Sequence, residues 1–283
     1  MPFGKAPTLV DSTWLSNHLN NPDVAVLDCR WRLADPDFGV QAYATGHIPG
    51  ARHIDLDRDL SGPRGYYGGR HPLPDPESFE RTLSVLGVGP DTHVVCYDDD
   101  AAAAARCWWC LSYYGHAKVS ILDGGISLWT ARGLALSTQE ELPAVPPSLP
   151  FVANPDPRMT VGYETLRVAA SRLTLIDARQ SERFQGRIEP VDSIAGHIPG
   201  AVNVPYSTLL DEHGQYRTGE DLRARFAPYL DQSSTPVVYC GSGVTACVAA
   251  VGLQQIGIAP LLYPGSWSDW IQHQGAPIAD SSS

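Results

Sequence analysis

Short apolar runs recur along the chain and alternate with stretches of helical spacing. Residues 25–27, 94–97, 173–176 and 236–239 are brief and apolar, the pattern of strands buried in a parallel sheet. Residues 78–86, 221–229 and 245–256 repeat their apolar positions at helical intervals. This alternation predicts an α/β fold with a small parallel sheet in each half, flanked by helices. In such sheets, ligands meet the chain at the carboxyl ends of strands, where loops lead into helices.

The two halves are copies of each other. Gly46-His47-Ile48-Pro49-Gly50-Ala51 returns as Gly196-His197-Ile198-Pro199-Gly200-Ala201. Upstream, Val26-Leu27-Asp28-Cys29-Arg30 parallels Leu175-Ile176-Asp177-Ala178-Arg179. Downstream, Val94-Val95-Cys96-Tyr97-Asp98 parallels Pro236-Val237-Val238-Tyr239-Cys240, and Ile121-Leu122-Asp123-Gly124-Gly125 parallels Leu262-Tyr263-Pro264-Gly265. Four matches in one order, in copies far longer than a solenoid repeat, indicate two copies of one domain. Between them stand Pro143, Pro146, Pro147, Pro150, Pro155 and Pro157. Such a run lacks amide donors and favours extended backbone. Residues 1–140 are therefore expected to form the first domain, 141–157 a stiff linker, and 158–283 the second domain.

Charge and cysteine usage narrow the function. The chain has 283 residues and a formal net charge of −11. No basic footprint for nucleic acid or an anionic membrane is visible. No apolar run is long enough for a membrane span, and the first residues lack a signal-like core. Six cysteines without regular spacing argue against a disulfide scaffold and for a reducing cytoplasm. Cys107-Trp108-Trp109-Cys110 has CxxC spacing but lies in an apolar helical run, where a core role is the better reading. No metal site is expected.

Cys240 differs from the other cysteines. It ends an apolar strand and opens Cys240-Gly241-Ser242-Gly243-Val244-Thr245-Ala246, which leads into an apolar helix. Glycines let backbone amides turn inward, and inward amides beside a helix N-terminus attract an anion. The same field stabilises a thiolate, and any negative sulfur bound to it. Asp98 stands at the matching point of the first copy and cannot carry sulfur. Features shared by both copies, namely His47 with His197 and Asp28 with Asp177, are expected to brace loops.

These motifs resemble the tandem rhodanese-domain sulfurtransferases. The likeness rests on the repeated Gly-His-Ile-Pro-Gly-Ala, the Cys240 loop and Tyr263-Pro264-Gly265-Ser266-Trp267-Ser268-Asp269-Trp270. It implies two tandem rhodanese-like domains, an inactive first and a catalytic second, with the site in the cleft between them. The fold also serves phosphatases that need Cys-x5-Arg, but Ala246 stands where that arginine would be. Thiosulfate-preferring members resemble Cys-Arg-Lys-Gly-Val-Thr-Ala. The neutral Gly241 and Ser242 instead match the 3-mercaptopyruvate-preferring type.

The resemblance implies further roles. Arg183, in Arg183-Phe184-Gln185-Gly186, matches the arginine that binds the donor carboxylate. The family's second arginine is replaced by Val191, and Arg187 is the candidate substitute. Ser242 with His71 and Asp57 matches a relay that orients the donor and protonates the leaving enolate. Gly241, Gly243, Val244 and Thr245 complete the loop around the substrate, and Trp267, Tyr66 and Tyr67 are candidates for its walls. The expected activity moves sulfane sulfur from 3-mercaptopyruvate through a Cys240 persulfide to a thiol, cyanide or thioredoxin, without a cofactor. The alternatives are a thiosulfate sulfurtransferase and a non-catalytic persulfide carrier.

Overall fold

The computed structural model describes residues 6–139, 147–169, 173–230 and 235–280. Residues 141–146 of the expected linker lie outside these. The chain divides into two compact units. The first comprises Met1–Gly62, Leu73–Asp156 and Glu212–Tyr216; the second comprises Pro63–Pro72, Pro157–Asp211 and Arg217–Ser283. A ten-residue piece of the N-terminal copy, carrying His71, thus belongs to the second unit.

The first unit runs β1 (Leu9–Val10), α1 (Ser12–His18), β2 (Val24–Asp28), α2 (Phe38–Thr45), β3 (Ala51–His53), α3 (Pro76–Val85), β4 (His93–Tyr97), α4 (Ala102–Tyr113), β5 (Val119–Leu122) and α5 (Gly125–Ala131). Its sheet is parallel throughout, in the order β1-β5-β4-β2-β3. The starts of the helices are written in sequence: the Asp11 side chain caps α1, and Asp75 caps α3 just before Pro76. Val26, Val95, Leu122 and Trp129 meet in the core on one side of the sheet.

The second unit runs α6 (Tyr163–Ala169), β6 (Thr174–Asp177), α7 (Ser181–Phe184), β7 (Val202–Asn203), α8 (Gly219–Phe226), β8 (Pro236–Tyr239), α9 (Ala246–Gln255), β9 (Leu261–Leu262) and α10 (Ser266–Trp270). Its parallel order, β7-β6-β8-β9, repeats β3-β2-β4-β5 strand for strand. Where β1 pairs with β5, the second copy retains one parallel bridge, Thr160 to Leu262. Leu175, Val237, Tyr239, Trp267 and Trp270 form its core.

The repeated motifs perform the same bracing in each unit. Arg30 grips the Asp28 carboxylate through Nε and Nη2, and Nη2 also donates to Gly46 O at 2.8 Å. Arg179 grips Asp177 in the same way and donates to Gly196 O at 2.7 Å. The hydroxyls of Tyr97 and Tyr239 accept the amides of Ile48 and Ile198. His47 stacks on Tyr43, and His197 stacks on Phe184. Burial raises both tyrosine pKa values above the ordinary range, with the neighbouring Asp28 and Asp177 adding to it. The phenols therefore stay protonated and keep the Gly-His-Ile-Pro-Gly loop tied to the sheet.

Candidate active site

β8 delivers Cys240 to the carboxyl edge of the second sheet, and α9 begins six residues later. The intervening loop folds around the sulfur. Gly243 N donates to Cys240 Sγ at 3.2 Å, and Cys240 itself is buried. Gly243 has φ +77°, and a Cβ there would meet Pro264 O at 2.3 Å, so only glycine fits. The N-terminus of the ten-residue α9 adds its positive field to the same end of the loop.

The aromatic segment after β9 holds this loop from behind. Trp267 N donates to Cys240 O, and Ser268 N donates to Gly241 O. Ser266 Oγ accepts the Cys240 amide at 3.1 Å and donates to Tyr263 O. Ser266 does this from the left-handed region, at φ +54°, where a non-glycine residue is strained. Trp267 is fully buried, with Arg179 over its ring. It therefore packs the core rather than lining an open wall, whereas Tyr66 and Tyr67 are exposed.

Two further groups converge on the loop. His71 Nδ1 lies 2.7 Å from Ser242 Oγ, and both residues are buried. On the other flank stands Arg183, donating through Nε and Nη2 to Glu189 and through Nη2 to Asp192 at 2.9 Å. Burial opposes ionisation of Glu189, but hydrogen bonds from Arg183 and from nearby amides outweigh it and hold this carboxyl below the usual range. Val244 is buried at the turn into α9, and Thr245 occupies the N-cap position of that helix without a side-chain capping hydrogen bond. Arg187 is exposed, its amide donating to Glu182 O. Asp57 belongs to the first unit, where Oδ2 accepts from Trp31 Nε1 at 2.7 Å.

Arg70 was not singled out from the sequence. Its backbone amide donates to Ser268 Oγ, and its Nη1 pairs with Asp192. Its Nη2 reaches within 2.8 Å of the point where a Cβ on Gly241 would stand. The sequence signal was its place beside His71. What concealed it was the distance along the chain from the loop that it faces.

The first unit holds an altered version of the same loop. Asp98 replaces the cysteine, and its carboxylate accepts Ala101 N at 2.8 Å and Ala104 N at 2.9 Å. Among the described residues, one group could hold a metal ion: Cys29, Cys96 and Cys107, buried in the first unit with their sulfurs within 4.8 Å of one another. The second copy places Ala178, Val238 and Ala249 at the matching points, all buried. In that copy the fold packs alkyl groups at these points.

A parallel sheet in each copy, a cysteine cradled at a strand end in the second and an aspartate in its place in the first define a duplicated domain with one cysteine-centred loop. The chain belongs to the rhodanese-like domain family, whose profile matches residues 11–132 and 164–273. A Pseudomonas aeruginosa protein provisionally named 3-mercaptopyruvate sulfurtransferase is 42% identical over 96% of this chain and 97% of its own. A Mycobacterium tuberculosis protein provisionally named thiosulfate sulfurtransferase is 41% identical over 90% of each. The crystal structure of SseA from Escherichia coli, described as a 3-mercaptopyruvate sulfotransferase with the rhodanese fold, covers 93% of this chain and 100% of its own at 33% identity, with a TM-score of 0.80.

Proposed function

We propose that this protein is a sulfurtransferase that takes sulfane sulfur from 3-mercaptopyruvate onto Cys240 and passes it to a thiol or cyanide. The observation that carries this reading is the Cys240 loop: a buried sulfur receives an amide hydrogen bond at the start of α9, beside the His71–Ser242 pair. Cys240 thiolate attacks the donor's sulfur, the donor's carbon–sulfur bond breaks, and its electron pair leaves on the enolate of pyruvate. Cys240 becomes a persulfide, and a proton delivered through His71 and Ser242 completes pyruvate. A second thiolate, such as that of thioredoxin, or cyanide then removes the outer sulfur and regenerates Cys240. Gly243 N stabilises the anionic sulfur, Arg183 binds the donor carboxylate, and Gly241, Val244 and Thr245 shape the loop. Asp57's part in the relay rests on the sequence resemblance. Six free thiols suit a reducing cytoplasm, and no helix among the described residues is long and apolar enough to cross a membrane.

Intact mass after donor treatment tests the mechanism. The wild type should gain one sulfur, and Cys240→Ser should gain none and lose turnover with every donor. No gain with any donor would refute the covalent step. A persulfide that forms but never turns over would instead favour a carrier.

A second donor, thiosulfate, is favoured by one observation: two guanidinium groups, Arg70 and Arg183, face neutral Gly241. Comparing kcat/KM for the two donors decides between them.

A further inference from the structure

Gly241 and Ser242 are uncharged, yet two guanidinium groups face Gly241. A Cβ built on Gly241 would lie 2.8 Å from Arg70 Nη2 and 3.5 Å from both Nη1 and Nη2 of Arg183. Neither guanidinium is used up by its neighbours. Glu189 and Asp192 engage Nε and Nη2 of Arg183, leaving Nη1 toward Gly241. Asp192 engages Nη1 of Arg70, while Arg70 Nε is buried and has no partner among the described residues. An unsatisfied charged donor in a buried place is costly unless an acceptor arrives. Beside it opens a cavity of about 260 Å³ that is lined in part by Arg70, Asp192, Ser268 and Tyr66.

The first copy shows what such a site takes. Asp99 stands at the point matching Gly241, and its two carboxylate oxygens accept Arg32 Nη1 at 2.9 Å and Nη2 at 2.7 Å. There the loop brings its own anion to an arginine that follows β2. In the second copy, an arginine that follows β6 is held by Glu189 and Asp192 and faces a glycine, so the loop itself brings no carboxylate to it.

We propose that Arg70 and Arg183 together form the anion subsite of the sulfur donor, and that position 241 is glycine so that the Arg70 guanidinium can enter. The ligand class is a small molecule with a terminal anionic oxygen group, the carboxylate of an α-keto thiol acid or the sulfonate end of thiosulfate. Arg70 thereby supplies the second cation that the exposed Arg187 does not. This inference rests on the sulfurtransferase reading for the identity of the donor. The geometry links Arg70 and Gly241 directly: an alanine methyl at 241 would press on Nη2, the movable end of a long side chain, and displace it without disturbing backbone.

The test measures steady-state kinetics with both donors for the wild type, Arg70→Ala, Arg70→Lys, Gly241→Ala and the double variant Arg70→Ala/Gly241→Ala. Arg70→Ala should raise KM by at least about tenfold, the scale of a lost charged hydrogen bond, with kcat within about threefold. Cys240 should still gain one sulfur at saturating donor. Gly241→Ala should reproduce the rise, and the double variant should add nothing to it, since both remove one interaction. Lysine should recover part of the loss. A rise for mercaptopyruvate alone identifies the carboxylate as the ligand; a rise for thiosulfate alone identifies the sulfonate. An unchanged KM in Arg70→Ala, or fully additive effects, overturns the proposal while leaving the persulfide mechanism standing. Should the wild type accept sulfur from neither donor, the sulfurtransferase reading fails. The subsite is then tested by calorimetric titration of Cys240→Ser with pyruvate and thiosulfate: binding lost on adding Arg70→Ala supports it, and binding of neither or retained binding overturns it.

Discussion

Asp98 Oδ1 and Cys240 Sγ accept the same loop amide in the two copies, from Ala101 N at 2.8 Å and from Gly243 N at 3.2 Å. The donor residue is in the left-handed region each time, at φ +69° for Ala101 and +77° for Gly243. The anion-holding turn has thus survived in both halves. The first copy fills it with a carboxylate that has no transferable chemistry.

That carboxylate should make stability depend on pH. Burial, with the nearby Asp100 charge adding to it, raises the Asp98 pKa well above the usual range, and the Ala104 and Ala101 amides oppose this only in part. A carboxyl with a raised folded value contributes stability that is present below its unfolded value and is lost as pH rises through the folded one. Each unit of that difference is worth about 1.4 kcal/mol. Asp98→Asn should therefore gain on the wild type as pH rises from 4 to 8. Thermal melts of both proteins across that range measure the difference; parallel curves would count against it.

Ser242→Ala should separate the two donors. Pyruvate leaves mercaptopyruvate as an enolate that needs a proton, whereas sulfite leaves thiosulfate without one. Removing the hydroxyl bonded to His71 should lower kcat with mercaptopyruvate by about a hundredfold, the lower end for general-acid help. With thiosulfate, kcat should change by less than about threefold. Equal losses on both donors would assign Ser242 a purely structural part.

Arg179→Ala should unfold the second unit far more readily than a surface change would. It leaves Asp177 fully buried without its cation and Gly196 O without its donor. Breaking a buried pair of this kind costs about 3–5 kcal/mol. Urea denaturation followed by tryptophan fluorescence reads this, since Arg179 also lies over Trp267.

Ser266→Ala should weaken the catalytic loop rather than the core. The Cys240 amide loses its acceptor in a buried place, a loss of about 1–3 kcal/mol. Activity should fall together with stability. Ser266→Gly relieves the left-handed strain, as Gly125 does at the same φ in the first copy, yet it loses the same acceptor. Glycine should therefore be the more stable of the two variants and remain impaired in turnover. Equal turnover of Ser266→Gly and wild type would show that the hydroxyl is dispensable.

The fold was largely readable because its signals are local or duplicated. Residues 236–239 read as a strand and are β8; the helical reading of 245–256 is α9 within a residue at each end. Buried parallel strands need apolar side chains on both faces, so they stand out from their neighbours. The two-residue strands β1, β7 and β9 were not legible, because so short a run has no periodicity.

The sequence by itself determined the duplication, the parallel sheets and the singular position of Cys240, since strand ends, glycines and helix starts are set by neighbouring residues. Tertiary structure alone decided which distant groups reach that loop. His71 and Arg70 arrive with a segment some 170 residues before it, Ser266 from 26 residues after it, and Arg187 stays exposed despite its place near Arg183. Such contacts depend on how the chain returns to a strand end, and on whether glycine at 241 leaves space for a guanidinium. Neither condition is written in any local stretch of residues.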